Sequence, residues 1–169
     1  GEVLAEGTPQ EISANETVVL GKHVPSPLGR LLRQPVVPFS LFADSPFAVI
    51  EDGDAARAFV AAAARRLDEP INIVAPGAIT TLQAILRGKR VPLPLIGPEW
   101  RVASRLSHML GAPVPDHVVE LMHRGRLADG AKALDVLGFA PVLSTPEVID
   151  HLYAWESVVR IGSISEAVA

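Results

Sequence analysis

At 169 residues, 49% of them apolar and 20% charged, the chain can build one domain with a core of its own and is not a disordered segment. Fifteen Lys and Arg against nineteen Asp and Glu leave a net charge of −4 with no basic block, which argues against a nucleic-acid binder. These residues include no cysteine, which removes disulfides, thiolate metal sites and a Cys nucleophile from consideration.

Residues Gly1 to Asn15 are polar and broken by Gly7 and Pro9, so an irregular lead-in is expected over 1–15. Thr17 to Leu20 is a short β-branched run closed by Gly21, a buried-strand signal. His23 to Pro27 reads as a loop. Leu28 to Arg33 reads as a short helix stopped by Pro35. Pro35 to Pro38 is extended, and Phe47 to Ile50 is a second strand candidate. The strongest helix runs from Ala55 to Leu67, with Asp54 expected at its N-cap and Arg65 and Arg66 in its last turn. Ile71 to Val74 reads as a third strand. Thr80 or Thr81 opens a helix that ends at Gly88. Val91 to Leu95 carries Pro92 and Pro94, so it is edge strand or coil. Helices follow over Pro98–Leu110, Asp116–Arg124 and Ala131–Leu137. A last helix opens at Ser144-Thr145-Pro146-Glu147 and runs to about Arg160.

The first half alternates strand and helix, and the second half is helix-rich. The expected fold is α/β, a partial parallel sheet with alternating helices, formed by a single unit over 16–160 with a frayed tail over 161–169. No apolar run reaches about 18 residues, so membrane insertion is not expected. Gly1 to Glu6 lack the basic start of a signal peptide, and with cysteine absent a cytoplasmic location is expected.

Several segments share an order. Thr17-Val18-Val19-Leu20-Gly21 is followed by FAVIEDGDAARAF from Phe47 to Phe59. Then come Pro70 to Gly77, with its Asn72, and DGAKALDVLGFAP from Asp129 to Pro141. In order and spacing they resemble the C-terminal part of the extended short-chain dehydrogenase/reductases, the NAD-dependent epimerase/dehydratase family. The resemblance covers about residues 16 to 160. It implies a substrate-binding portion for a nucleotide-sugar or similar small molecule. It places the loop Lys22, His23 and Arg30 and the stretch Pro38, Phe39 to Phe42 beside that substrate.

The chain departs from the family pattern. It holds no Gly-rich dinucleotide fingerprint, and its one tyrosine, Tyr153, is followed four residues later by Ser157 where the family has Lys. Glu51 stands where the family often has His. NAD or NADP is therefore expected only if a dinucleotide-binding half is supplied, with no cofactor and no turnover for this chain alone. That missing half, or a second copy in a homodimer, is the expected partner.

Other constellations are thinner. Glu51, Asp52 and Asp54 form an acidic cluster at a strand's C-terminal end, where open α/β sheets bind ligands. They read either as a cation or general-base site or as a cap with solvated turn residues. His117 and His123 are six apart on a helix and diverge, so with Glu120 they read as surface residues. His108 and His151 have no local partner. Ser26, Ser40, Ser45 and Ser104 lack a nucleophile elbow. Trp100 and Trp155 read as packing residues. Beside the epimerase-like reading stand a non-catalytic ligand- or protein-binding module and a small enzyme built on Glu51, Asp52 and a histidine.

Overall fold

A computed structural model of the chain describes residues 18–24, 26–65, 70–95 and 116–155. In chain order these form β1 (Val18–Leu20), α1 (Pro27–Leu32), β2 (Val36–Ser40), β3 (Val49–Glu51), α2 (Asp52–Arg65), α3 (Thr81–Arg87), β4 (Val91–Leu95), α4 (Asp116–Arg124), α5 (Ala131–Leu137) and α6 (Thr145–Ala154). The α/β class holds. The strands form two separate two-stranded parallel sheets, β1–β3 and β2–β4.

The β1–β3 pair has two apolar faces, as side-chain alternation requires of a parallel sheet buried on both sides. Leu20 and Val49 point into the larger core with Val148, Ile149 and Leu152 of α6. Ile50 and Val19 point the other way, against Ala55 and Ala58 of α2 and Ala133 and Leu137 of α5. In the second sheet, Val37 and Phe39 are buried in the larger core. Val91 N–H donates to Pro35 O at 3.0 Å, so the alternating Pro92 and Pro94 sit where a donor would face away from β2. Proline is tolerated there because the ladder loses nothing.

Helix ends follow their signals. Thr80 Oγ1 accepts from Gln83 N, and Gln83 Oε1 accepts from Thr80 N, a reciprocal capping box on α3. Asp44 strengthens the same end by accepting from the N–H groups of Thr81 and Leu82. At α6, Glu147 Oε2 accepts from both the backbone N–H and the hydroxyl of Ser144. These bonds, hydroxyl first, hold the Glu147 carboxyl below its ordinary range, with His151 adding a smaller pull.

Two tertiary contacts place α6 against β3. The buried Thr145 hydroxyl accepts from Val49 N and donates to Val49 O, each at 3.3 Å. Asp54, also buried, accepts from Val142 N–H at 2.8 Å and pairs with Arg57. The far end of α6 is held by Arg33, whose Nε and Nη2 donate to Leu152 O and whose Nη2 also reaches Trp155 O. These are carbonyls the helix itself leaves unpaired. Tyr153 O–H donates to Ala84 O at 3.0 Å, and its ring lies under the Arg90 guanidinium. Gly88 lies so close to this ring that an added Cβ would come within 2.1 Å of Tyr153 Cζ. Its role is close approach as well as termination.

Four expectations are corrected. Asp54 is not the N-cap of α2: the helix starts at Asp52, and Asp54 turns inward to hold residues 142–143. Ile71 to Val74 forms no strand; Ile71 and Ile73 pack on the smaller core while their backbone joins no ladder. Phe47 makes only isolated bridges to Ile79 and Arg126, so β3 begins at Val49. The last helix ends at Ala154, where Trp155 turns extended as its C-cap and packs on the larger core. Residues 1–17, the helix expected over 98–110 with Trp100, Ser104 and His108, and the tail from 156 lie outside the described residues. No described helix is long and apolar enough to cross a membrane.

Two outcomes test this packing. Thr145→Val keeps the shape but strands a buried N–H and C=O, so urea unfolding should show a loss of about 2 kcal/mol. Burial pushes the Tyr153 phenol up to about 12, partly offset by Arg90. Because the folded value is raised, its stabilising contribution is complete below the ordinary value of 10.0 and is lost as pH rises toward about 12. As Tyr153 is the single tyrosine, phenolate absorbance reads it directly. A transition at the ordinary value with the fold intact would contradict the packing.

Candidate functional site

The C-terminal ends of β1 and β3 lie side by side, because the parallel register sets Leu20 opposite Glu51. Each strand leads into a segment carrying chemistry-bearing residues: Gly21 to Val24 after β1, and Glu51 and Asp52 where β3 runs straight into α2. The placement is the one at which parallel α/β sheets receive ligands.

Asp52 joins the two segments. Its Oδ2 accepts the His23 backbone N–H at 3.1 Å, and its Oδ1 accepts the N–H of Gly53 at 2.8 Å. Gly21 makes this possible. A Cβ there would meet Asp52 Cγ at 2.0 Å, so any larger residue displaces the carboxylate that pins the loop. Lys22, His23 and Val24 are left exposed.

Glu51 meets a partner from the far end of the chain. His151 of α6 places Nδ1 3.4 Å from Glu51 Oε1, with both side chains reachable by solvent. This brings Glu51, Asp52, Lys22, His23 and His151 to one end of one sheet. Sequence reasoning left His151 without a partner. The only signal was its place in the last turn of a helix with an apolar face, and this does not specify which sheet end it reaches.

The remaining candidates fall elsewhere. Asp54 is consumed by Val142, Leu143 and Arg57 and presents nothing to a ligand. Arg30 is exposed on α1. Pro38 and Phe39 belong to the second sheet, where Phe39 is core; Phe42 is 79% exposed. The side chains of His117 and His123 lie outside the described residues. Among the described residues no group of three or more His, Asp or Glu is arranged to hold a metal.

The first turn of α2 is not laid out to hold a phosphate. At the β3–α2 junction no loop intervenes, and the Asp52 carboxylate already takes the first-turn N–H of Gly53. A diphosphate would face Glu51 and Asp52 where it needs free N–H groups.

No protein-family model matches the sequence, and no curated protein matches it. Among solved structures the fold is similar to that of the UDP-N-acetylglucosamine 4-epimerase from Bacillus cereus. The TM-score is 0.52 at 15% identity, over 82% of this chain and 45% of that one. The chain thus spans less than half the length of that enzyme, and the likeness is one of fold.

The Asp52 clamp predicts a local effect. Asp52→Ala should speed hydrogen exchange at the His23 amide by about tenfold or more, with little change in global stability. Asp54→Ala should instead lower global stability by about 2–3 kcal/mol, because it removes the buried carboxylate that accepts from Val142 and Leu143 N–H and pairs with Arg57. Equal global losses for both would remove the distinction between a loop clamp and a core brace.

Proposed function

We propose that the chain is the substrate-binding portion of an enzyme related to the NAD-dependent nucleotide-sugar epimerases and dehydratases. It binds a nucleotide-sugar at the C-terminal end of the β1–β3 sheet. The observation that carries the reading is the meeting of the Lys22–His23 loop with Glu51, Asp52 and His151 at that end. The motif order and the fold likeness to an epimerase point the same way.

In this reading Lys22 and Arg30 supply positive charge to the diphosphate, Lys22 as a point charge and Arg30 as a planar fork. Glu51, Asp52 and the outer nitrogen of His151 are hydrogen-bonding groups suited to sugar hydroxyls. The Glu51 carboxylate at Nδ1 orients the imidazole so that Nε2 faces outward. Hydride chemistry by NAD or NADP enters only through a dinucleotide-binding unit, and the chain alone turns nothing over.

A non-catalytic ligand- or protein-binding module is the second reading, favoured by the exposed Phe59 and Val60 of α2.

Calorimetric titration separates the two. UDP-N-acetylglucosamine and UDP should both bind, NADH should not, and Lys22→Gln with Arg30→Gln should weaken UDP by about tenfold or more. Absence of nucleotide binding at millimolar ligand would remove the epimerase-like reading and leave the second.

A further inference from the structure

The β2–β4 sheet buries one face and leaves the other open. Side chains alternate along a strand, so with Val37 and Phe39 in the larger core, Val36, Pro38 and Ser40 point the other way. The parallel register sets Val91, Leu93 and Leu95 beside them, and of these six side chains only Ser40 is polar. Val36, Val91 and Leu93 are 48%, 59% and 40% exposed. The inner face is covered by α4, whose Val118, Leu121 and Met122 share the core with Val37 and Phe39. Parallel sheets are as a rule covered on both faces, since their strands are apolar on both.

The chain that leaves this sheet carries a matching surface. Residues 96–115, outside the described residues, join Leu95 at the end of β4 to Asp116 at the start of α4. The sequence predicts a helix over Pro98–Leu110, and that helix is amphipathic. At about 100° per residue, Val102, Ala103, Leu106, Met109 and Leu110 fall within an arc of about 120°. Arg101, Ser104, Arg105 and His108 fall on the opposite side. Such a helix is about 20 Å long and the five-residue strands β2 and β4 are about 17 Å long, so the two surfaces match in length as well as in polarity.

We propose that the stretch Pro98–Leu110 packs as a helix across the outer face of the β2–β4 sheet. Ile96 and Gly97 turn the chain at the end of β4, and the helix runs back along the face. That direction sets Val102 near Leu95, Leu106 near Leu93 and Met109 near Val91, and it leaves Arg101, Arg105 and His108 to solvent. Gly111, Pro113 and Pro115 then end the helix and carry the chain to α4. The tether selects this occupant over a separate partner. The stretch is joined directly to β4 at one end and to α4 at the other, so it meets the face at high effective concentration. It therefore does not need the roughly 20–30 residues a side of a free-standing interface. A second copy would have to displace it. The placement is independent of any ligand at the C-terminal end of the β1–β3 sheet.

The sequence holds no cysteine, so a pair of cysteines can be placed without competition. The test is cross-linking of the purified chain by a short bismaleimide, read by intact mass and peptide mapping. Leu93→Cys with Leu106→Cys should be bridged within one chain, at a rate that does not change with protein concentration. Leu93→Cys with His108→Cys, on the far side of the helix, should be bridged about tenfold more slowly or less. Val91→Cys with Met109→Cys is a second pair that should behave like the first, and it serves if Leu93→Cys with Leu106→Cys lowers the melting temperature by more than a few degrees. Bridges between two chains, equal bridging at Leu106→Cys and His108→Cys, or no bridge in either expected pair would each overturn the proposal.

Discussion

The Thr145 hydroxyl holds a position that a strand would otherwise fill. A two-stranded parallel pair of three residues each has little to hold it together, and its edges present unpaired backbone groups. By bonding both N–H and C=O of Val49, Thr145 closes one edge of β3 and fixes the start of α6 against it. Asp54 repeats the device one layer away by taking the N–H of Val142. Between them the helix can enter in only one position. That position sends His151 to Glu51, Tyr153 to α3 and the C-terminal carbonyls of α6 to Arg33.

The electrostatics of the sheet end follow from the same placement. Glu51 and Asp52 stand at the start of a 14-residue helix, where negative charge is favoured by the helix dipole. They occupy the place that an anionic ligand would take in a nucleotide-binding fold of the usual kind. The exposed cations Lys22 and Arg30 stand apart from them on the flanking loop and α1, and the sheet end presents carboxylates and the His151 imidazole.

Much of the fold was legible because its signals are local. Thr80 and Gln83, Ser144 and Glu147, and the stops at Gly88 and Gly138 act within three or four residues of the helix they bound. The two prolines of β4 left edge strand or coil open, and the structure makes it a strand paired on one side. What was missed lies in contacts across the chain. Asp54 carried a cap signal, yet the backbone N–H groups it accepts from are 88 and 89 residues away. His151 and Glu51 are separated by 100 residues, and no spacing rule links them. Ile71 to Val74 shows how burial can imitate a strand: the apolar alternation fits a helix surface, and no neighbour offers a ladder. The meeting of the Lys22–His23 loop with Glu51 and Asp52 rests on two strand signals, the second of them displaced by two residues, and only the register brought the segments together.

The order of pairing has a kinetic consequence. Val18 meets Val49 and Val36 meets Val91, so the two sheets interleave along the chain: each pair encloses one strand of the other. Neither can zip from a hairpin, and closing either one constrains the loop that holds a partner of the other. Folding must therefore bring distant segments together before any ladder repays the entropy of closure, which places this small unit among the slow folders for its size. The same interlock ties the segment before β2 to the segment after β3. A cut anywhere between β2 and β3 severs both pairings at once.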